Sequence, residues 1–253
     1  MIFNTQKARI VREHFGRYRA KQREKRHNGG HFPLEDVFLY VTSRCNATCD
    51  HCFYWKELNR PEDEIQIPEF EKLAESIPPF EFLVMTGGEP FLRKDVDEIV
   101  GAFAKRDKCH TFQFNTNGFT PKLIEKRVRD ICERFPDRRF QVMCSLDGYQ
   151  ETHNKIRNNP RAWELTNETI GRLTPLMRNE FRNQLYIGVL SVVCDLNWQQ
   201  IEPLAQHVRQ EYGVIHAFEM IRGTDFSVWN LDDDVRDNYN PPGMALPPSR
   251  RVG

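Results

Sequence analysis

The sequence predicts an α/β fold built from repeated strand-helix units around a parallel sheet. Two observations carry this. From residue 35 onward, short apolar, β-branched runs alternate with longer stretches of helical periodicity. The chain has 253 residues, 39% of them hydrophobic, enough to bury one substantial core as a single catalytic domain.

In order, strands are expected near Asp36 to Thr42, Phe82 to Thr86, Thr111 to Thr116, Phe140 to Leu146, Leu185 to Val193 and His216 to Ile221. Helices are expected over Glu69 to Ser76, Val96 to Lys105, Lys122 to Phe135, Ala162 to Glu180 and Gln199 to Glu211. No repeat of 20 to 50 residues is present.

The two ends differ from this body. Between Lys7 and Arg26 nine Lys or Arg stand against two Glu, and Ala8, Val11, Phe15 and Tyr18 form one apolar stripe. Residues 1–34 thus read as a basic helical extension docked on the body, and the basic face is the one feature suited to RNA, an acidic peptide or a membrane surface. After Gly223 the pattern fails. Asp232 to Asp234 and two Pro-rich segments lead to the end, and residues 224–253 are expected to be a loosely draped tail, the chain being a shortened relative of longer proteins.

Lys plus Arg total 36, as do Asp plus Glu, so no global field draws the protein to nucleic acid or anionic lipid. No run approaches the ~18 apolar residues of a spanning helix, and no secretory leader is visible, so a cytoplasmic location is expected. Seven cysteines, an odd number with three crowded between positions 45 and 52, suit a metal site in a reducing compartment better than a disulfide framework.

Cys45, Cys49 and Cys52 follow the first expected strand. Their loop therefore sits at a strand's C-terminal end, the functional face of an α/β barrel. Intervals of three and two residues let one loop hold three corners of a cubane, with no fourth cysteine nearby. A zinc site is the alternative: His51 or His27 would complete a Cys3His tetrahedron in a structural or interaction module, although no second knuckle is present.

The triplet fits CxxxCxΦC, with His51 at the usually aromatic Φ position, and three further motifs follow in order. These are Gly87-Gly88-Glu89-Pro90, Thr116-Asn117-Gly118, and Ser145-Leu146-Asp147-Gly148 with Arg157 twelve residues after the serine. Together they resemble the radical S-adenosylmethionine (SAM) superfamily over about residues 35–223, nearest its molybdenum-cofactor-biosynthesis and peptide-modifying branches. No cysteine follows Cys194, so the C-terminal auxiliary-cluster cysteines of the SPASM and twitch groups are missing.

The resemblance implies a partial (βα)6 TIM-type barrel. It implies a 4Fe-4S cluster on Cys45, Cys49 and Cys52, and SAM held by Gly87, Gly88, Glu89, Pro90, Thr116, Asn117, Ser145, Arg157 and His51. It also implies a one-electron reductant such as a flavodoxin or ferredoxin, and a peptide or small-molecule substrate. Glycines would let backbone groups approach the ligand, Glu89 would receive the amino group of SAM, and the Arg157 fork its carboxylate. Cys194, at the functional rim, is a candidate hydrogen-atom donor. Asp147 and His153 are candidates for acid-base work, or simply for a strand-ending turn and a packing role. Cys109, Cys132 and Cys144 read as small core residues.

Overall fold

The computed structural model describes residues 34–60 and 64–221. The basic stripe between Lys7 and Arg26, His27 and the tail after Gly223 lie outside them. Six strands, β1 (Asp36–Thr42), β2 (Phe82–Gly87), β3 (Thr111–Thr116), β4 (Arg139–Ser145), β5 (Leu185–Val193) and β6 (Ile215–Met220), pair in parallel in chain order. Six α-helices join them: α1 (Ile67–Ser76), α2 (Val96–Ala104), α3 (Pro121–Arg134), α4 (Gln150–Ile156), α5 (Ala162–Pro175) and α6 (Ile201–Glu211).

A monotonic strand order, with no reversal of direction, is that of a sheet curling toward a barrel. A doubly wound sheet would reverse at a switch point. Among the described residues β1 and β6 do not pair with each other, so the barrel is partial, as the sequence led us to expect.

Alternation along the strands sets the two faces. Leu83 and Met85 of β2, Phe112 and Phe114 of β3, Phe140, Val142 and Cys144 of β4, and Ile187 and Val189 of β5 point outward into one core. There they meet Phe70, Ile99, Phe103, Ile124, Ile131, Ile170, Leu173 and Leu204 from the helices. The opposite positions, among them Phe38, Tyr40, Thr86, Asn115, Ser145, Leu190 and Val192, face the barrel interior and line a cavity there.

Helix ends follow local chemistry. α1 begins with Pro68 in its first turn and a capping box in which Gln66 N–H donates to Glu69 Oε2 at 2.8 Å. α3 likewise begins on Pro121. The expected helix from Ala162 to Glu180 departs from α geometry at Pro175, continuing as one π turn over Leu176–Glu180. The short helix α4 is absent from the expected list, its seven residues being too few to carry a period.

Candidate active site

The cysteine loop leaves β1 at Thr42 and is fastened at several points before any ligand is considered. Asn59, in the left-handed region at φ 55°, holds it from one side. Its N–H donates to Ser43 O at 2.9 Å, its Nδ2 to Cys45 O at 3.0 Å, and its Oδ1 accepts from Cys45 N–H at 2.9 Å. From the other side Asp50 N–H donates to Ile156 O at 3.0 Å and Asn158 Nδ2 to Thr48 Oγ1 at 3.2 Å, docking the loop on the end of α4. Asn59 was not singled out in the sequence. The signal that could have found it is an Asn at a loop position needing positive φ, where its side chain can bond nearby backbone.

Cys45, Cys49 and Cys52 open on one cavity of ≈ 220 Å³. Burial pushes the Cys45 thiol up to about 12 and the Cys52 thiol up to about 11, and raises Cys49 as well, though the Arg157 guanidinium pulls Cys49 back down. Three desolvated thiols gathered in this way become thiolates only when a cationic centre accepts them. That is the chemistry of metal ligands. Among the described residues no three His, Cys, Asp or Glu side chains converge on one point, as ligands of a single ion would. A zinc tetrahedron needs its donors ~2.0–2.3 Å from one centre, whereas a cubane takes each thiolate on a different iron. The donor set fits a cluster, and the zinc alternative is not favoured.

The glycines of the second motif do a different task from the expected one. A Cβ on Gly88 would lie 2.1 Å from Arg44 O, and one on Gly87, which has φ +118°, 2.5 Å from Thr42 O. Gly88 N–H donates to Thr42 O and Glu89 N–H to Arg44 O, each at 2.7 Å. These backbone donors therefore hold the end of β2 against the cysteine loop and are not aimed at a ligand. Pro90, buried, starts a short 3-10 turn, and Arg93 three residues on is also buried. Arg93 donates to Val41 O and to Ile65 O, each at 2.6 Å, and pairs with Asp95 at 2.8 Å. It locks β1 to β2 and was missed in the sequence because an isolated Arg in a turn carries no pattern.

Glu89 is buried on the cavity wall. Its Oε1 accepts from Thr116 Oγ1 at 2.9 Å and from Phe91 N–H at 3.3 Å, and its Oε2 from Asn117 N–H at 2.8 Å. Burial outweighs these donors and pushes its carboxyl up to about 7. Thr116, expected to touch SAM, gives its hydroxyl proton to Glu89 and accepts from Gly118 N–H at 3.1 Å, so here it positions the carboxylate. Asn117 Nδ2 donates to Asn46 Oδ1 at 2.8 Å and lies 3.9 Å from Cys45 Sγ, tying the third motif to the cysteine loop.

Ser145 ends β4 and lines the cavity, but Asp147 does not. Fully buried, Asp147 accepts from Arg157 Nε at 2.6 Å and from Val192 N–H at 2.9 Å. Burial alone would raise its carboxyl, yet the Arg157 charge holds it down at about 2. His153 Nδ1 accepts from Asp147 N–H at 3.0 Å, and burial drives that imidazole down to about 3, so it is neutral and no ion pair forms between them. Asp147 and His153 are therefore a counter-ion and a packing residue, and the acid-base reading is set aside.

Arg157 donates through Nη1 to Cys49 Sγ at 3.6 Å while its Nε holds Asp147. His51 lines the same cavity, buried, with Nδ1 unpartnered among the described residues, and desolvation keeps it neutral by lowering it to about 4. Cys194 is the expectation that the geometry does not place at the site. Buried just past β5, it is absent from the cavity lining, and its N–H donates to Asn197 Oδ1 at 2.7 Å in a tight loop.

The chain is similar to known proteins in the way this geometry suggests. The GTP 3',8-cyclase of Staphylococcus aureus strain bovine RF122 / ET3-1 is 25% identical over 221 residues, covering 80% of this chain and 60% of the cyclase. The cyclase of strain JH9 is 24% identical over the same length. Among solved structures, anSMEcpe with bound AdoMet has a TM-score of 0.57 at 17% identity, covering 75% of this chain and 52% of that one. SuiB of Streptococcus suis bound to S-adenosylmethionine has a TM-score of 0.56 at 16% identity, covering 82% and 46% respectively.

At such identities the structures testify to the fold alone. The chain spans about 60% of the length of the curated relatives it matches. The sequence profile of the radical SAM superfamily, whose members use a 4Fe-4S cluster and SAM, matches residues 39–208. That span runs from β1 through the cysteine loop and all four motif-bearing strand ends into α6, and the chain belongs to the radical SAM superfamily.

Proposed function

We propose that this chain cleaves SAM reductively, with Cys45, Cys49 and Cys52 as the protein ligands of the cluster. When bound and reduced by a one-electron donor such as a flavodoxin or ferredoxin, the cluster supplies the electron that splits SAM into methionine and a 5'-deoxyadenosyl radical, which takes a hydrogen atom from substrate. The protein's own residues hold and orient. Glu89 accepts from the amino group of SAM, and its buried position strengthens that contact. Ser145 and Arg157 face the carboxylate end, and His51 forms the adjoining wall. Thr116 and Asn117 keep Glu89 aimed inward, while Gly87, Gly88 and Pro90 shape the turn that carries it.

The observation supporting this reading is convergence: three cysteines, the Glu89 carboxylate and the Arg157 guanidinium open on one cavity from three different strand ends and α4. Anaerobic reconstitution tests it. A brown protein absorbing near ~400 nm that releases 5'-deoxyadenosine from SAM with dithionite is expected. A colourless protein with stoichiometric zinc, or no release at full iron loading, would overturn it.

For the substrate, the lining favours a peptide side chain or an uncharged small molecule over a nucleoside triphosphate. Phe38, Tyr40, Phe53 and Tyr54 form an aromatic wall, with the Tyr40 ring 4.9 Å from Tyr54 and 6.4 Å from Phe53. Among the described residues Arg157 is the one Lys or Arg lining the cavity, and it is already engaged by Asp147 and Cys49. About four triphosphate charges would find no matching guanidinium forks here.

A further inference from the structure

We infer that Asp147 is a positioning residue for the cluster: by pinning Arg157 it aims a hydrogen bond from Arg157 Nη1 at the Cys49 sulfur, and so sets the reduction potential. The inference rests on Cys49 being a cluster ligand, and it deepens that reading.

The geometry is a three-member relay with no slack. Asp147 is held from three sides. Val192 N–H donates to Oδ1, Asn197 Nδ2 donates to the Asp147 carbonyl at 2.7 Å, and Asp147 N–H donates to His153 Nδ1. The remaining carboxylate oxygen takes Arg157 Nε at 2.6 Å, which fixes the plane of the guanidinium. In that plane Nη1 lies 3.6 Å from Cys49 Sγ. The next residue of α4's end reinforces the aim, since Asn158 bonds Thr48 beside Cys49, and Ile156 O accepts from Asp50 N–H on the other side. The guanidinium and the sulfur it addresses are therefore mounted on one clamped unit.

A donor aimed at a cluster sulfur withdraws charge from it and stabilises the reduced, more negative cluster, which raises the potential. If Asp147 acted only through its own charge, its removal would raise the potential and removal of Arg157 would lower it. A positioning role predicts otherwise. Asn at 147 offers one acceptor oxygen to two donors, Arg157 Nε and Val192 N–H, so one is left facing an amide NH2 and the guanidinium plane is released. Both changes should then move the potential the same way.

The test is an EPR-monitored redox titration of SAM-free, anaerobically reconstituted protein: unaltered, Asp147→Asn, Arg157→Gln, the double variant, and Arg157→Lys, which keeps the charge but not the fork. Iron and sulfide should match the unaltered protein in all five. We expect a lower potential in each variant, by about tenfold in reduced-to-oxidised ratio at fixed poise, or about 59 mV for one electron. The double variant should fall no further than Arg157→Gln.

An unchanged potential in Arg157→Lys, or an upward shift in Asp147→Asn at full iron loading, would overturn the inference while leaving the cluster assignment intact. Full iron retention in Cys49→Ala would instead remove its premise, which is a failure of the ligand assignment and is read in a separate sample.

Discussion

Asn117 N–H donates to Glu89 Oε2 at 2.8 Å across the ends of β3 and β2, so the third motif holds the carboxylate of the second. Thr116 completes the grip on Oε1. Glu89→Gln should therefore keep a normal iron content and lose SAM affinity ten- to hundredfold, since a charge-assisted contact is worth roughly 1.5 to 3 kcal/mol. Thr116→Val, which removes a positioning contact, should weaken SAM by a smaller factor. Anaerobic SAM titration at equal cluster loading measures both, and a larger loss in Thr116→Val than in Glu89→Gln would show direct contact instead.

Glu89 also gives the protein a pH signature. Burial pushes its carboxyl up to about 7 from 4.5, so between those values the folded chain keeps a proton that the unfolded chain releases. Folded-state stability from this group therefore rises on acidification and is lost as pH climbs through about 7. Going from pH 7.5 to 5.5, unaltered cluster-free protein should gain on the order of 1–2 kcal/mol relative to Glu89→Gln in urea unfolding. A relative loss would contradict the assignment.

Gly88→Ala places a methyl 2.1 Å from Arg44 O, a backbone atom that cannot swing aside. The loop before Cys45 must move. We expect destabilisation of roughly 2–4 kcal/mol and impaired cluster assembly, read as thermal unfolding and iron content. Gly171→Ala, where a Cβ meets nothing within 4 Å, is the control and should be neutral or slightly stabilising.

Replacement of Cys45, Cys49 or Cys52 by Ala should abolish cluster assembly. Cys132, buried on the apolar side of α3, should be replaceable at a cost near 1 kcal/mol with iron content intact. Iron and sulfide analysis after anaerobic reconstitution decides, and iron surviving in any of the three variants would require a different ligand set.

Equilibrium dialysis with radiolabelled GTP tests the substrate reading. Retention should be negligible at micromolar GTP in the presence of SAM, because the described cavity lining offers no second cation. Saturable micromolar binding would return a nucleoside triphosphate to the front.

Strand positions were legible because each is a short apolar run closed by its motif. β1, β3 and β5 begin and end where alternation and turn residues placed them, and β2, β4 and β6 shift by a single residue. Roles were less legible. Asp147 reads as an acid in sequence, yet it serves as a buried counter-ion, because its partner Arg157 lies ten residues away on another element and only the fold brings it to 2.6 Å. Cys194 sits at a strand end like the true site residues, but its loop turns inward on Asn197, a local hydrogen-bond choice that no spacing announces.

The sequence by itself determined the order of elements, the cysteine ligands and the family, because these depend on periodicity and on residue types at fixed short intervals. The tertiary structure decided what each motif residue is turned toward. Whether a hydroxyl faces ligand or carboxylate, and whether a glycine makes room for SAM or for the backbone of Arg44, depends on contacts between distant strand ends. Those contacts are set by parallel register and by burial, and neither is encoded within any one motif.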